Sequence, residues 1–270
     1  MVHDWRHLSP ATLDDAYANA PYIFGSDRFP ARWAARARAF RDRLGEHAVL
    51  DLAYGPAPRE RLDLFRPSGD PRGLVVFVHG GYWHRFAKSD WSHLAVGALD
   101  RGFAVAMPGY TLAPDVRIAD ITRQVAVAID RAAALVGGPV HLTGHSAGGH
   151  LVARMAMADA RPACATRIAR VVPLSPVADL RPLVPQAMNA VLRLDEGEAR
   201  AESPALGRPV PGVDVRIHVG GDERPSFLWQ SEALARAWDA PLRVAAGRHH
   251  FDVIDGLADA GSALVEDLVG

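Results

Sequence analysis

A serine lies between small residues at the point where a predicted strand gives way to a predicted helix. The segment Gly144-His145-Ser146-Ala147-Gly148 fits the pattern G-x-S-x-G, after the strand residues VHLT and before the helix residues HLVARMAM. A serine on so sharp a turn projects from the top of the sheet, and the positive end of the following helix favours a developing oxyanion. The motif therefore predicts that Ser146 is the nucleophile of an acyl transfer and that the N–H group of Ala147 is an oxyanion donor.

Two glycines follow the first predicted buried strand, in the segment His79-Gly80-Gly81-Tyr82-Trp83. Acyl transfer to serine needs a second oxyanion donor from such an earlier loop, and glycine lets backbone N–H groups approach a substrate closely. We expect the N–H groups of Gly81 and Tyr82 to complete the oxyanion hole. His79 is expected to hold the loop in place instead of ionising, and Trp83 is interpreted as a pocket wall in preference to a core residue.

A serine hydroxyl is a weak nucleophile near neutral pH, so it needs a general base, and the base needs a group that orients it. Two loops after late strands supply candidates, because one carries Asp222 beside Glu223 and the other carries His249 beside His250. The candidates follow one another along the chain in the order serine, acid and histidine. This order is typical of one group of enzymes with an α/β fold. Asp222 is favoured over Glu223 because it comes first after the strand, whereas the spacing leaves His249 and His250 open.

Predicted strands and helices alternate from residue 73 onward. Continuous apolar runs indicate strands that are buried on both faces, and amphipathic runs between them indicate helices. Two strands with alternating polarity precede them, at 48–54 and 61–66, and are expected to pair antiparallel at the sheet edge. The pattern predicts one α/β domain with a mostly parallel central sheet and helices on both faces. The later strands are predicted at 73–78, 103–107, 138–142, 170–174, 214–219 and 242–245, and the helices at 91–101, 118–136, 146–158, 227–238 and 252–268.

Two segments lie outside this alternation. Residues 1–45 form an N-terminal helical segment, in which the helix predicted at 28–44 could use Trp33 and Phe40 to cover the active site or a partner subunit. Residues 179–211 are rich in proline and stand where only one helix is needed, so they predict a small lid or pocket excursion and not a second domain.

Composition excludes several classes of protein. The 270 residues carry 30 Lys and Arg against 31 Asp and Glu, and this balance argues against a nucleic-acid or membrane-surface partner. A single cysteine, Cys164, allows neither an internal disulfide nor a cysteine-based zinc site. Neither an H-E-x-x-H motif nor a phosphate-binding glycine loop occurs, so we expect no metal and no cofactor. The first ten residues lack a leader pattern, which predicts a cytoplasmic protein with a small-molecule substrate; a homodimer remains open.

The motifs together resemble the α/β-hydrolase superfamily, in its arylformamidase (kynurenine formamidase) and bacterial esterase subgroup. The pair HGGYW (79–83) and GHSAGG (144–149) carries the resemblance most specifically. Further matching segments extend it over most of the chain: DAYANA (15–20), KSDWSHLA (88–95), PGYTLAP (108–114), SPVADLRPL (175–183), GGDERPSF (220–227) and HHFDVIDGL (249–257).

The resemblance implies an α/β-hydrolase fold and assigns roles to individual residues. In that family the histidine before Phe-Asp or Phe-Asn serves as the base, which corresponds to His250. The acid of the GGDE segment corresponds to Asp222. The family's oxyanion donors correspond to the backbone N–H groups of Gly81, Tyr82 and Ala147.

The function implied is that of a serine hydrolase that removes a small acyl group from an aryl formamide such as N-formylkynurenine. Tyr82 replaces the third glycine that is usual in the wider esterase branch, which favours a small acyl group. Trp83 and Phe227 are expected to join it as aromatic pocket walls. The alternatives are a short-chain carboxylesterase or other amidase of the same fold, and a non-catalytic binding protein, against which the complete set of serine, acid and histidine counts.

Overall fold

A nine-stranded sheet passes through the centre of the protein in a computed structural model that describes residues 2–270. The strands are β1 (Ala48–Ala53), β2 (Arg61–Phe65), β3 (Leu74–Val78), β4 (Ala104–Pro108), β5 (Val140–His145), β6 (Ile168–Leu174), β7 (Asp214–Val215), β8 (Ile217–Gly220) and β9 (Leu242–Ala245). Their order is β1-β2-β4-β3-β5-β6-β8-β9, and β7 pairs with β6. Strand β2 is antiparallel to β1 and β4, whereas the other pairs are parallel.

Helices cover both faces of this sheet. The α-helices are α1 (Pro10–Tyr17), α2 (Phe29–Leu44), α3 (Val96–Asp100), α4 (Ile118–Leu135), α5 (Ala147–Arg154), α6 (Asn189–Leu192), α7 (Glu196–Ala201), α8 (Pro225–Trp238) and α9 (Ala263–Val269). Apolar residues of α1, α4, α5 and α8 pack into one core, and those of α2, α3 and α9 pack into the other. The predicted α/β class with a mostly parallel sheet is confirmed.

Strand β3 illustrates why a continuous apolar run indicates a central strand. Its alternate side chains point to opposite faces of the sheet. Leu74 and Val76 contribute to the core under α4 and α5, whereas Val75 and Phe77 contribute to the core under α2 and α9. A strand that is buried on both sides has no position for a polar side chain, and all five residues of β3 are buried.

Three predicted elements differ in detail from those observed. The strand expected at 214–219 consists of the two short strands β7 and β8. The helix expected at 91–101 is a 3-10 turn, Ser92–Ala95, followed by α3. The helix expected at 252–268 divides into a 3-10 helix, Val253–Ala258, and α9, because the hydroxyl of Ser262 accepts a hydrogen bond from the Val265 N–H and begins a new helix.

The segment 179–211 contains the short helices α6 and α7 and two 3-10 turns, Arg181–Leu183 and Pro204–Leu206. None of the helices in residues 2–270 is long and apolar enough to cross a membrane.

Candidate active site

Ser146 occupies a strained turn between β5 and α5. Its φ of 57° lies in the left-handed region, and its N–H group donates to the carbonyl of Leu174 over 2.9 Å. The turn requires the flanking glycines, because a Cβ atom at Gly148 would lie 1.9 Å from the carbonyl oxygen of Val78. A Cβ atom at Gly144 would likewise lie 2.3 Å from the carbonyl oxygen of Gly148. The small residues of the motif are therefore a steric condition for presenting Ser146 at the sheet edge.

The loop after β3 makes a tight turn beside Ser146. Gly81, Tyr82 and Trp83 all have positive φ angles, and the carbonyl of Gly81 accepts the N–H groups of His84 and Arg85. Gly81 and Tyr82 line the same cavity as Ser146. Ala147 is the first residue of α5, where N–H groups have no acceptor within the helix. The positions of all three residues suit the donor roles expected of them.

His79 lies at the base of this loop and stays uncharged. Its Nδ1 donates to the carbonyl of Gly80 over 2.8 Å, and its ring stacks on Tyr110 with 4.4 Å between centroids. The Tyr110 hydroxyl in turn donates to the carbonyl of His79 over 3.0 Å. Burial lowers the pKa of His79 to about 4, so at neutral pH it fixes the loop and does not exchange protons.

His250 lines the cavity and has a buried carboxylate on one ring nitrogen. Its Nδ1 lies 2.5 Å from Oε2 of Glu223, whose side chain is 0% exposed. The other oxygen, Oε1, accepts the Gly220 N–H over 2.9 Å and the hydroxyl of Ser175. Because Nδ1 is occupied by the carboxylate, Nε2 is the nitrogen with which His250 can receive a proton in the cavity.

The expectation that Asp222 is the acid beside His250 is wrong. Asp222 is exposed, and its N–H group donates to the carbonyl of Arg248 over 2.9 Å. The chain turns immediately after β8, which leaves Asp222 on the outside of the turn and returns the Glu223 side chain to the N–H group of Gly220. Glu223, the alternative that the sequence left open, therefore takes this position.

The adjacent histidine faces another part of the protein. The Nδ1 of His249 accepts the N–H group of Phe251 over 3.1 Å, and its ring packs on Phe29 of α2 at 5.4 Å. His249 is not among the residues that line the cavity, whereas His250 is. The spacing left these two histidines open, and the geometry brings His250 to the site.

Two further rings flank His250. The ring centroid of His145 is 4.5 Å away and that of Phe227 is 4.2 Å away. Burial, with a smaller effect of His250 itself, holds the pKa of His145 well below its usual range, so His145 adds no charge here. Phe227 is fully buried and does not line the cavity, so the prediction that it is a pocket wall is wrong; it supports the imidazole of His250.

Trp83 is also not a pocket wall. It is completely buried, it belongs to the core under α5, and its ring packs edge-on against His150 at 5.1 Å. The positive φ angles of the loop turn Tyr82 toward the cavity and leave Trp83 in the interior. The sequence prediction missed this because the residue types do not show in which direction the turn points each of the two aromatic side chains.

The cavity has a volume of about 640 Å³, and aromatic side chains form much of its wall. Trp33 and Trp91 pack together with 4.7 Å between ring centroids, and Phe86 packs edge-on against both. The ring of Phe251 lies 5.5 Å from that of Trp33. The residues that line the cavity are Asp14, Tyr17, Ala18, Asn19, Ala20, Pro21, Ser26, Asp27, Pro30, Trp33, Gly80, Gly81, Tyr82, His84, Arg85, Phe86, Trp91, His145, Ser146, Met188, His250 and Phe251.

The outer wall of the cavity comes from the N-terminal segment, residues 14–33. Of the two roles that the sequence left open for this segment, the structure bears on the first: Trp33 faces the cavity, whereas Phe40 packs on Phe65 of β2 at 5.2 Å. The segment 179–211 contributes Met188 to the lining. The N-terminal segment thus forms most of the outer wall, which the sequence led us to expect from segment 179–211.

Among the side chains of residues 5–270, no group of three or more His, Cys, Asp or Glu could hold a metal ion. Burial raises the pKa of the Cys164 thiol to about 12, with a smaller contribution from its contact with Asp130. The thiol is therefore protonated at neutral pH and is a poor nucleophile.

Comparisons with known proteins agree with this geometry. The BD-FAE family model matches residues 62–192. A kynurenine formamidase of Danio rerio is 29% identical over 99% of this chain and 98% of its own. The crystal structure of a candidate thioesterase from Silicibacter sp. TM1040 is 52% identical, with a TM-score of 0.94, and the match covers 96% of this chain and 99% of the other.

A Pyrobaculum calidifontis esterase shares the fold, with a TM-score of 0.67 at 16% identity over 96% of each chain. The order of the strands, the turn at Ser146 and the similarity over nearly the whole chain lead to one assignment. The chain belongs to the α/β-hydrolase superfamily, is similar to kynurenine formamidases and to esterases, and is a serine hydrolase.

Proposed function

We propose that the protein hydrolyses an aryl formamide such as N-formylkynurenine through an acyl-enzyme. The observation that carries the proposal is the placement of Ser146 and the Glu223-bound His250 in one cavity whose wall is aromatic. The relative from Danio rerio, which matches over nearly its whole length, is a kynurenine formamidase.

In the first step the Ser146 hydroxyl attacks the formyl carbon while Nε2 of His250 takes the hydroxyl proton. Glu223 keeps the other proton on Nδ1 and stabilises the imidazolium that forms. The carbonyl oxygen becomes an oxyanion, which the N–H groups of Gly81, Tyr82 and Ala147 stabilise. Each such donor is worth about 10²–10³-fold in rate in well-characterised serine hydrolases.

In the second step the carbon–nitrogen bond breaks and the proton on Nε2 of His250 passes to the leaving aniline nitrogen. A formyl ester remains on Ser146. Water then attacks this ester, again with His250 as the base, and the Ser146 oxygen leaves with the proton that His250 returns. The products are formate and the free aryl amine.

The cavity wall supports an aryl leaving group. Trp33, Phe86, Trp91 and Phe251 offer ring faces and edges against which a flat substrate can pack, and such aromatic pairs add about 0.5–1.5 kcal/mol each beyond area burial. Tyr82 lines the cavity beside the proposed oxyanion donors, and a pocket narrowed by its side chain would suit formyl, the smallest acyl group.

A second candidate function is the hydrolysis of a small ester or thioester. The specific observation in its favour is the 52% identity to a structure described as a candidate thioesterase. The attack by Ser146 and the role of His250 would be the same, and only the leaving group would differ, an alcohol or a thiol instead of an aniline.

The test compares kcat/KM for N-formyl-L-kynurenine, p-nitrophenyl acetate and an acetyl thioester, with the same preparation and with Ser146→Ala as control. We expect a formamide value of about 10⁴ M⁻¹s⁻¹ or above, in the range of evolved substrates. Ser146→Ala should lose at least about 10⁴-fold, because the acyl-enzyme can no longer form. A fluorophosphonate probe should label the wild-type serine and leave the variant unlabelled.

Two outcomes would contradict the proposal. Weak formamide turnover with rapid ester or thioester turnover would favour the second candidate function instead. Formamide turnover that survives in Ser146→Ala, or an unlabelled wild-type enzyme, would remove the serine mechanism altogether.

A further inference from the structure

We infer that Ser175 is a positioning residue for the reaction, because it holds the carboxylate of Glu223 in the orientation that His250 requires. The inference rests on the proposed roles of Glu223 and His250 and goes beyond them. It adds a fourth side chain to the set formed by Ser146, His250 and Glu223. This side chain touches neither the substrate nor the reacting atoms.

The contacts of Glu223 are divided between its two oxygens. Oε2 faces Nδ1 of His250, and Oε1 accepts both the Ser175 hydroxyl and the N–H group of Gly220. A carboxylate that is bound at both oxygens cannot rotate about its terminal torsion, which is otherwise broad. Ser175 supplies the side-chain contact on the oxygen that faces away from His250.

The backbone at Ser175 is adapted to this contact. Ser175 follows β6 directly, is fully buried and has a φ of 46°, a value that is costly for a residue other than glycine. Its N–H group donates to the carbonyl of His218 in β8 over 2.7 Å. Strained backbone persists where the surrounding structure holds it, and it often marks functional sites. Here it brings the hydroxyl to the carboxylate across the ends of two strands.

The hydroxyl also has an electrostatic effect. Glu223 is completely shielded from solvent, so its negative charge depends on hydrogen-bond donors for stabilisation. A donor to the charged form of a carboxyl favours that form. Without Ser175 the Glu223 carboxylate would lose a donor at Oε1 and be freer to rotate, and this freedom would misalign the imidazole of His250.

The experiment measures kcat and KM of the Ser175→Ala and Ser175→Gly variants of the enzyme with its best substrate. Both variants remove the hydroxyl, but glycine also relieves the strain of the positive φ, so the pair separates the hydroxyl from the backbone. We expect each variant to lower kcat about 10- to 100-fold, the range for a lost hydrogen bond to a charged group, with KM within about twofold.

The matched control is Ser231→Ala. Ser231 is a fully buried serine in α8 whose hydroxyl has no hydrogen-bond partner among the described residues. This control removes the same atom from an equally buried position and should leave kcat unchanged. Thermal unfolding of every variant checks that a loss of rate is not a loss of folded protein.

A double-mutant cycle with Glu223→Gln separates positioning from general structural support. If Ser175 acts through Glu223, then Ser175→Ala should have little effect on the residual rate in the Glu223→Gln background. The same fold-loss in both backgrounds, or full activity of both Ser175 variants, would overturn the inference while Glu223 keeps its role. Full activity of Glu223→Gln would instead overturn the proposed role of Glu223, and the inference about Ser175 with it.

Discussion

The two walls of the cavity are built in different ways. The inner wall is the carboxyl edge of the sheet, where Ser146 and Gly81 adopt positive φ angles and neighbouring backbones approach closely. A Cβ atom at Gly80, for example, would lie 2.7 Å from the carbonyl oxygen of His145. The outer wall is the N-terminal segment, residues 14–33, which hydrogen bonds and aromatic packing hold against the rest of the protein.

Several hydrogen bonds anchor the outer wall to the rest of the protein. Tyr82 donates its hydroxyl to the carbonyl of Tyr17 over 2.7 Å, and Ser226 donates to the carbonyl of Ala16 over 2.5 Å. Arg224 reaches the carbonyl of Asp15. Arg224 also pairs with the carboxylate of Asp15 over 2.8 Å. The outer wall is therefore held through both backbone and side-chain acceptors, whereas close backbone contacts shape the inner wall.

The largest expected effect concerns the inner wall and separates two adjacent carboxylates. Glu223→Gln should lower kcat about 10³–10⁴-fold, because an amide cannot hold the reactive tautomer of His250 or stabilise its charged form. Asp222→Asn, at the exposed neighbour, should leave kcat within about twofold. Steady-state kinetics on both variants measure the difference.

The two substitutions are matched in chemistry and lie one position apart. A large loss in Asp222→Asn together with an active Glu223→Gln would mean that the turn after β8 has a different conformation during catalysis. It would also restore the acid that the sequence favoured.

The next effect concerns the outer wall. Trp33→Leu should raise KM for the aryl formamide about tenfold and change kcat little, because it removes a ring face from the substrate site and leaves the inner wall intact. Phe40→Leu is the matched control, since Phe40 lies on the same helix and packs on Phe65 away from the cavity.

Both truncations should lower the thermal unfolding midpoint, so stability alone does not distinguish them. An equal rise of KM in Phe40→Leu would show that the effect comes from loosening α2, and the assignment of Trp33 to the substrate site would then be wrong.

The smallest expected effect is on the free energy of unfolding. It concerns the turn against which α2 packs. His93 lies in the 3-10 turn packed under α2, and neither of its ring nitrogens has a hydrogen-bond partner among the described residues. Burial first, and then the positive charge of Arg36, lowers the pKa of His93 to about 4, although Asp255 opposes this shift. The folded protein therefore disfavours the protonated ring.

The sign of the pH dependence follows from proton uptake. Between about pH 6.5 and pH 4 the unfolded chain binds a proton at His93 that the folded protein does not bind. The free energy of unfolding should therefore fall as the pH is lowered through this window, by up to about 1.4 kcal/mol per pH unit for one group.

Denaturant unfolding at pH 7.5, 6 and 5 tests this with His93→Leu, which keeps the site apolar. The variant should lose stability less steeply than the wild type, although other buried histidines, including His79, contribute in both. Identical slopes for the two proteins would show that His93 is not a source of the pH dependence.

The sequence predicted best those elements whose formation depends on contacts between residues close together in the chain. The alternation of apolar runs predicted the α/β class and nearly every strand, because a strand buried on both faces needs apolar residues at successive positions. Helix α2 was placed within one residue of its observed start. The break before α9 was missed, because it depends on the capping hydroxyl of Ser262, which the apolar periodicity of residues 252–268 does not indicate.

By itself the sequence determined the fold, the turn that presents Ser146 and the glycine loop opposite it, because short-range steric rules fix each of them. Only the tertiary structure decided between Asp222 and Glu223, since that choice depends on the turn after β8 and on contacts with His250 and with Ser175, a residue 48 positions away. It also placed Trp33 in the cavity and Trp83 in the core. Such choices depend on where distant segments pack, and the residue types alone carry no information about that.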